Sequence, residues 1–181
     1  MDMYKLKWTR LQEEIFTLLS AKSGEKLNQR EISKLLKVSP TAIGNALVEL
    51  EKEKIIIIER QGKINLSLVF LNRESSEVIF MKRIENIRMI YQSGLYDKLF
   101  NSFPGTTIFL FGSYSQGGDV IKSDIDIAII GNKERNINLE EYEKLLEREI
   151  NVEFYDSWKI IPKNLKNNIL NGVILSGSVD L

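Results

Sequence analysis

Two short apolar segments on either side of a glycine-containing stretch most strongly constrain the fold of this 181-residue chain. The first segment, residues 106–111, ends at a Gly-Ser pair, and the second, residues 124–130, opens with two aspartates two positions apart. Short apolar runs bounded by turn residues are typical of buried strands. The two segments therefore predict neighbouring strands of one sheet, with polar groups where one strand ends and the other begins.

The two aspartates, Asp124 and Asp126, favour a metal site. Residues two apart on a strand point to the same face and lie roughly 6.5–7 Å apart along the backbone. Two exposed carboxylates placed in this way repel each other unless a cation lies between them. The chain contains no histidine and no cysteine. Oxygen atoms must therefore hold any cation, which favours magnesium, manganese or calcium.

Gly112 and Ser113 are candidates for binding phosphate groups. Glycine lets the backbone come close to a phosphate, and serine offers a hydroxyl and an amide N–H, particularly where a helix begins. Phosphoryl transfer depends mainly on positioning and charge neutralisation, so acids, amides and hydroxyls suffice without histidine. The alternatives are a turn and a strand that bind no ligand, and a domain that binds a nucleotide or a partner without chemistry.

The order Gly-Ser, about ten residues, then Asp-x-Asp resembles the signature of the DNA polymerase beta nucleotidyltransferase superfamily. It looks closest to the minimal nucleotidyltransferases found in prokaryotic toxin–antitoxin pairs, and the likeness covers residues 106–181. The resemblance implies that Gly112 and Ser113 bind nucleotide phosphates and that Asp124 and Asp126 bind the metal ions.

The same resemblance implies a third carboxylate on a later strand, flanked by apolar residues. Glu153 within residues 150–154 fits that position and would be both a metal ligand and the activator of the attacking hydroxyl. Asp156 is the second choice for this role, and an exposed strand position without a role is the alternative for Glu153. One departure concerns residues 114–116, Tyr-Ser-Gln, where minimal members often carry a basic residue. Its absence argues against fast catalysis and leaves nucleotide binding as an expectation.

The function implied is transfer of a nucleoside monophosphate from an NTP, with ATP as the first choice, to a hydroxyl in the presence of Mg²⁺ or Mn²⁺. By resemblance the acceptor is a partner protein such as a HEPN-type toxin, which would make this chain an antitoxin. An alternative is a transcription regulator whose catalytically degenerate domain senses a nucleotide. A third possibility is an assembly module that binds neither DNA nor nucleotide.

The N-terminal part, residues 1–73, shows the order of a winged helix-turn-helix. Helical spacing over residues 4–21 is followed by a short helix with Asn28 as its N-cap and Glu31 three residues later. Ser39 and Pro40 begin a third helix that runs to about residue 54. Residues 55–60 and 63–68 then predict a hairpin with Gly62 in a tight turn. Residues 27–71 resemble the winged-helix DNA-binding domains of bacterial and archaeal transcription regulators.

In a helix-turn-helix, the first residues of the third helix enter the major groove of DNA. The DNA contacts predicted on this basis are Ser39, Thr41 and Asn45 on the helix and Arg60 and Lys63 at the wing, with Lys34 and Lys37 as further phosphate contacts. Residues 1–73 carry 13 Lys and Arg against 9 Asp and Glu, whereas residues 74–181 carry 12 against 16. A basic N-terminal part fits a nucleic-acid partner. The acidic later turns of the third helix, with Glu49, Glu51 and Glu53, favour the alternative of a protein-interaction or dimerisation module.

The predicted fold class is α/β (α+β) with two domains, a winged helix-turn-helix followed by a small mixed sheet with helices. The predicted ranges are 1–73 for the first domain, 74–103 for a connecting helix, single or broken at Ser93-Gly94, and 104–181 for the nucleotidyltransferase domain. Within the last range we expect helices over residues 139–149 and 161–170, a strand over 150–155 and a glycine-containing tail from residue 172.

The location and assembly of the protein are further expectations. No apolar run approaches the roughly 20 residues that a membrane span needs, and the first ten residues do not resemble a signal peptide. We therefore expect a cytoplasmic protein without membrane contact. We also expect a homodimer, because winged-helix regulators usually read two half-sites.

Overall fold

The computed structural model describes residues 8–61 and 66–179 of the chain, which divides into two compact units, residues 1–78 and 79–181. The first unit contains α1 (Arg10–Ala21), β1 (Leu27–Asn28), α2 (Gln29–Leu36), α3 (Pro40–Lys52), β2 (Ile56–Gln61) and β3 (Leu66–Leu71). The boundary falls within α4 (Ser76–Gln92). The second unit continues with α5 (Leu95–Ser102), β4 (Thr107–Phe111), α6 (Gly112–Gln116), β5 (Ile125–Ile130), α7 (Glu140–Leu146), β6 (Ile150–Tyr155), α8 (Lys163–Leu170) and β7 (Val173–Ser176). Among the described helices, none is both long and apolar enough to cross a membrane.

Side-chain caps fix where α2 and α3 begin. Asn28 Oδ1 accepts hydrogen bonds from the backbone N–H groups of Arg30 and Glu31 at 2.9 and 3.0 Å, and the Glu31 carboxylate accepts one from Asn28 N at 2.7 Å. This is the predicted capping box, which satisfies otherwise orphaned N–H groups of the first turn. Ser39 Oγ accepts from Ala42 N at 3.3 Å, with Pro40 as the first helical residue. The predicted starts of both helices are confirmed.

The sheet of the first unit has the order β1-β3-β2, with both pairings antiparallel. Gln61 pairs with Leu66, and residues 62–65 between them lie outside the described part of the chain, as do the predicted Gly62 turn and Lys63. Three helices and this hairpin enclose a core to which Ile15, Ile43 and Leu50 contribute fully buried side chains. The first unit therefore has the predicted winged helix-turn-helix architecture. The strand β1 was not predicted because two residues are too few to show a pattern.

The second unit is built on a mixed sheet of order β6-β5-β4-β7. Strand β4 is antiparallel to both β5 and β7, whereas β5 and β6 are parallel. One face of this sheet packs against α4, α5 and α7, and the other packs against α8 and the short 3-10 turn Trp158–Ile160. With this mixed sheet, the predicted fold class is confirmed.

The structure corrects the expectation of an irregular tail and decides between a single and a broken helix before residue 103. The tail from residue 172 instead contains β7, which extends the sheet by pairing with β4. The helical stretch before residue 103 is broken at Ser93-Gly94, where Gly94 has a φ of +80°. Ile90, Leu95, Leu99 and Phe103 are buried in the core of the second unit, so most of the segment predicted to connect the two parts lies within this unit.

Candidate functional site

The strand pairing brings the two halves of the Gly-Ser…Asp-x-Asp pattern together. Phe111, the last residue of β4, pairs with Asp126 near the start of β5. The next residue, Gly112, has a φ of +71°, and a Cβ atom built on it would overlap Asp126 Oδ2 and lie 3.2 Å from Asp126 Cγ. A positive φ and the missing Cβ are both properties of glycine, so this contact requires glycine at position 112.

The alternation of β5 determines which face carries the two aspartates. Ile125, Ile127 and Ile129 are fully buried among the side chains of α4, α5 and α7. Ala128 and Ile130 belong to the cluster on the opposite face, beside α8. Because side chains alternate along a strand, Asp124 and Asp126 share that second face, and both are half-buried.

The electrostatics of Asp126 reflect a concentration of negative charge. Burial raises the pKa of Asp126, and the charges of Asp124 and Glu153 raise it further, while the nearby amide of Asn151 lowers it. A carboxyl group whose negative form is penalised by like charges gains from a nearby cation. The paired aspartates thus have the oxygen donors and the charge that suit a divalent cation.

Ser113 lies in the first turn of α6, directly after the glycine that contacts Asp126. Its side chain is exposed, and its carbonyl oxygen accepts a hydrogen bond from Gly118 N at 3.0 Å. Ser115 Oγ donates to the Gly112 carbonyl at 2.8 Å, which closes this short turn. The predicted phosphate-binding side chain is therefore exposed, one residue after the glycine that contacts Asp126.

Glu153, the predicted third acid, lies on the same face but further along the sheet. It pairs in register with Ala128 rather than with Asp126, its side chain is exposed, and its carboxylate accepts a hydrogen bond from the Tyr155 hydroxyl. Within the described ranges, no group of three His, Cys, Asp or Glu residues is arranged to hold a metal ion. Asp156, the second choice, is exposed just beyond the end of β6.

Asn151 occupies the β6 position directly opposite Asp126, a feature that we did not predict from the sequence. Its Nδ2 donates a hydrogen bond to Asp124 Oδ2 at 3.0 Å. An amide carries no charge, so a pattern of carboxylates in the sequence does not single it out. The available signal was the spacing of two between residues 151 and 153, which places both on the face of the aspartates.

A buried polar network, also not predicted, anchors α6 and the glycine-containing turn to α4. Asn86 Nδ2 donates to the Tyr114 carbonyl at 2.8 Å and to Asp119 Oδ1 at 2.7 Å. Lys82 forms an ion pair with Asp119 Oδ1, and Arg148 Nη2 lies 3.5 Å from Asp119 Oδ2. All of these side chains are buried, and buried charges are tolerated only when they are paired. The network thus fixes the backbone that carries Gly112 and Ser113.

The predicted DNA contacts on α3 lie together on the surface of the first unit. Ser39, Thr41 and Asn45 are exposed on its first turns, although Ser39 Oγ already caps the helix. Lys34 and Lys37, on and just after α2, are also exposed. The structure thus presents Thr41 and Asn45 to solvent on the helix expected to meet DNA, and the two lysines to solvent at the preceding helix.

Of the two predicted wing contacts, Arg60 is paired with Glu51 and Lys63 is not described. Both terminal nitrogens of Arg60 donate to the Glu51 carboxylate at 2.9 and 2.7 Å, and this pairing raises the pKa of the Arg60 guanidinium. To bind a phosphate through these nitrogens, Arg60 must therefore first break its hydrogen bonds with Glu51. Lys63 lies outside the described residues.

One comparison with known protein families concerns the second unit. Residues 99–178 match the family described as Polymerase beta, Nucleotidyltransferase. This stretch, less than half of the chain, is therefore similar to nucleotidyltransferase domains. No curated protein matches the chain.

Solved structures similar to this chain include regulators from two bacteria. ZitR of Lactococcus lactis, a zinc-responsive MarR family member, is 24% identical, with 58% of this chain and 69% of that chain covered and a TM-score of 0.42. The adhesin competence repressor AdcR of Streptococcus pyogenes is 19% identical, with 57% and 72% covered and a TM-score of 0.43. ZitR in complex with DNA is 23% identical, with 57% and 67% covered and a TM-score of 0.42. The winged helix-turn-helix assignment itself rests on the element order and strand pairing of the first unit.

Proposed function

We propose that the chain is a nucleotidyltransferase that moves a nucleoside monophosphate from an NTP to a hydroxyl group and that binds double-stranded DNA through its winged-helix unit. The observation that supports the first part is the contact between Gly112 and Asp126. It brings a glycine-serine turn suited to phosphate within reach of a carboxylate pair suited to a cation. ATP is the first nucleotide to test.

Each residue of the site has a defined task in this proposal. Asp124 and Asp126 would hold Mg²⁺ or Mn²⁺, and a cation at this place would neutralise charge on the nucleotide phosphates. The open backbone at Gly112 and the hydroxyl of Ser113 bind phosphate oxygens. Glu153 acts as the general base and reaches the acceptor after its carboxylate releases the Tyr155 hydroxyl.

The transfer step conserves atoms and charge. The acceptor oxygen attacks the α-phosphorus of the NTP, the bond to the bridging oxygen of pyrophosphate breaks, and pyrophosphate leaves with the electron pair. The acceptor proton passes to the Glu153 carboxylate. Because this chemistry needs only positioning and charge neutralisation, a site without histidine is sufficient.

The decisive test of the site is the loss of Mg²⁺-dependent ATP binding in Asp126→Asn. Calorimetric titration of ATP with and without Mg²⁺ should show binding to the wild type and at least tenfold weaker binding to the variant, because the variant loses one of two cation-binding charges. Asp97→Asn, at an exposed position of α5, makes the same chemical change away from the site and should bind like the wild type.

Label transfer tests the enzymatic part. Wild type incubated with Mg²⁺ and each α-³²P-labelled NTP should label an acceptor among lysate proteins or an RNA with a free 3′ hydroxyl, whereas Asp126→Asn should not. If the wild type binds ATP and labels no acceptor, the transferase assignment fails. Equal ATP binding by wild type and Asp126→Asn would reject the site itself.

The finer identity of the acceptor comes from resemblance alone. On that basis we propose a HEPN-type partner protein as the acceptor and a homodimer in the cytoplasm as the working form. The DNA-binding part of the proposal is supported by the exposure of Ser39, Thr41 and Asn45 on α3 and by the excess of basic residues in residues 1–73.

A second candidate function is a transcription regulator whose nucleotidyltransferase domain senses a nucleotide without transferring it. The position of an amide, Asn151, opposite Asp126 favours this candidate, as does the bond from Tyr155 to Glu153. The amide at position 151 cannot accept a proton from an acceptor hydroxyl, and the bond from Tyr155 occupies the Glu153 carboxylate that could. This candidate predicts ATP binding without label transfer and a change of DNA affinity with ATP.

A further inference from the structure

Asn151 is the β6 side chain nearest in register to the aspartate pair. The parallel pairing places it opposite Asp126, whereas Glu153 is opposite Ala128, two residues further along the strand. Both side chains point to the face that carries Asp124 and Asp126, because side chains two apart on a strand share a face. The position best placed to complete the aspartate pair therefore carries a neutral amide.

The amide of Asn151 is hydrogen-bonded to one member of the aspartate pair. Its Nδ2 donates to Asp124 Oδ2 at 3.0 Å, so the partial positive charge of an amide from β6 lies against one carboxylate of the pair. Glu153 lies two residues further along the strand, opposite Ala128, where its exposed carboxylate is bonded to Tyr155 in the free protein. Directly opposite the pair, the protein therefore presents a neutral amide in place of a third carboxylate, and the charge of Glu153 lies two residues further along β6.

The number of charged ligands sets how tightly a protein holds a divalent cation. Mg²⁺ is usually bound by one or two carboxylates together with substrate phosphates, rather than by a site made wholly of protein. A two-carboxylate site supported by an amide donor matches that arrangement. A third carboxylate at the same place would instead raise the affinity of the free protein for the cation.

We infer that Asn151 is a positioning residue that sets the cation affinity of this site: its amide holds Asp124 in the free protein, and its neutrality keeps the divalent cation from binding until nucleotide phosphates supply further oxygen ligands. The inference deepens the proposed function, since it concerns the same aspartate pair. It depends on the pair binding a cation with nucleotide, and it does not depend on nucleotidyl transfer taking place.

The test is a Mn²⁺ titration followed by electron paramagnetic resonance, in which free Mn²⁺ gives the signal and bound Mn²⁺ does not. Without nucleotide, the wild type should show no binding below about millimolar Mn²⁺. Asn151→Asp should bind at least about tenfold more tightly because it adds a third charge. Asn151→Ala removes the amide without adding charge and should remain as weak as the wild type.

Two further measurements locate the effect. The double variant Asn151→Asp with Asp126→Asn should lose the gained affinity, which places the ion at the aspartate pair. The α,β-methylene analogue of ATP, which cannot transfer its α-phosphoryl group, should bring Mn²⁺ onto the wild type, measured by gel filtration as Mn²⁺ that elutes with the protein, because the analogue alone also binds Mn²⁺. In Asn151→Asp, Mn²⁺ alone should also raise the melting temperature, because a ligand that binds only the folded state stabilises it.

The inference is overturned if the free wild type binds Mn²⁺ as tightly as Asn151→Asp, or if Asn151→Asp binds no more tightly than the wild type. Tight binding by Asn151→Ala would also overturn it, since the lost hydrogen bond and not the charge would then control affinity. These measurements report cation binding and do not require transfer. A failure of label transfer leaves them unchanged, so the failure of the proposed activity and of this inference are distinguishable.

Discussion

At the scale of single residues, the candidate site depends on the absence of a side chain at Gly112. Gly112 reaches Asp126 because glycine has no Cβ and tolerates a φ of +71°. An alanine there must either shift the backbone that leads into α6 or displace the carboxylate of Asp126. Both movements change the distance between the proposed phosphate-binding turn and the aspartate pair.

We therefore expect Gly112→Ala to weaken Mg²⁺-dependent ATP binding at least tenfold in calorimetric titration. The positive φ alone costs about 1 kcal/mol of folding stability, which a melting curve will register. Gly105→Ala provides the matched control, since Gly105 has a φ of +78° and nothing within 4 Å of the added Cβ. The control should lose similar stability and keep its ATP affinity. If both variants bind ATP like the wild type, the Gly112–Asp126 contact has no role in the site.

At the scale of secondary-structure elements, the parts that were predictable carry a local signal. The starts of α2 and α3 follow from Asn28 with Glu31 and from Ser39 with Pro40, because the cap and the helix it begins are neighbours in sequence. The strands β4, β5 and β6 follow from apolar runs. By contrast, β1 and β7 are short segments held by pairing with a distant strand, which no local pattern reports.

The same distinction separates the predictable and unpredictable parts of the candidate site. Gly112, Asp124 and Asp126 belong to one stretch of sequence with a recognisable spacing, and the structure brings them together. Asn151 matters only because of the register between β5 and β6, which pairs residues 25 positions apart. The Asn86–Asp119 contact likewise joins α4 to a turn 33 positions later, so spacing within either segment could not indicate it.

The pairing of α3 with β2 through Glu51 and Arg60 gives a prediction for DNA binding. Because both terminal nitrogens of Arg60 are bonded to Glu51, the guanidinium is held away from phosphate. Glu51→Gln should free it and tighten binding to a non-specific 30-base-pair duplex severalfold at low salt. One more phosphate contact should steepen the slope of log affinity against log salt by about 0.9. Fluorescence anisotropy at several salt concentrations measures both quantities.

Glu49→Gln is the control for charge alone. Glu49 lies on the same helix and forms an ion pair with Lys52 at 3.2 Å, so its replacement removes an equal charge without freeing Arg60. A similar gain from both variants would show that general repulsion from DNA, and not the release of Arg60, accounts for the effect. No gain from Glu51→Gln would remove Arg60 from the DNA surface.

At the scale of the whole molecule, the open question is whether nucleotide and DNA influence each other. The two compact units carry opposite charge in sequence, and each has a candidate site composed of its own residues. A transferase recruited to DNA needs no energetic coupling between these sites. A nucleotide-sensing regulator requires it, and coupling between binding sites typically changes affinity by about 5- to 150-fold.

We expect saturating Mg²⁺–ATP to leave the affinity for the labelled duplex unchanged within about twofold, measured by anisotropy at constant free Mg²⁺ and ionic strength. Asp126→Asn, which should not bind Mg²⁺–ATP, separates a specific effect from competition between ATP and DNA for basic side chains. A larger change in the wild type that is absent from Asp126→Asn would favour the sensing function. Linkage then demands that the duplex change the affinity for ATP by the same factor, because the coupling free energy between two binding sites is reciprocal. Since the two titrations use different signals, their agreement would establish coupling even if no acceptor for transfer were found.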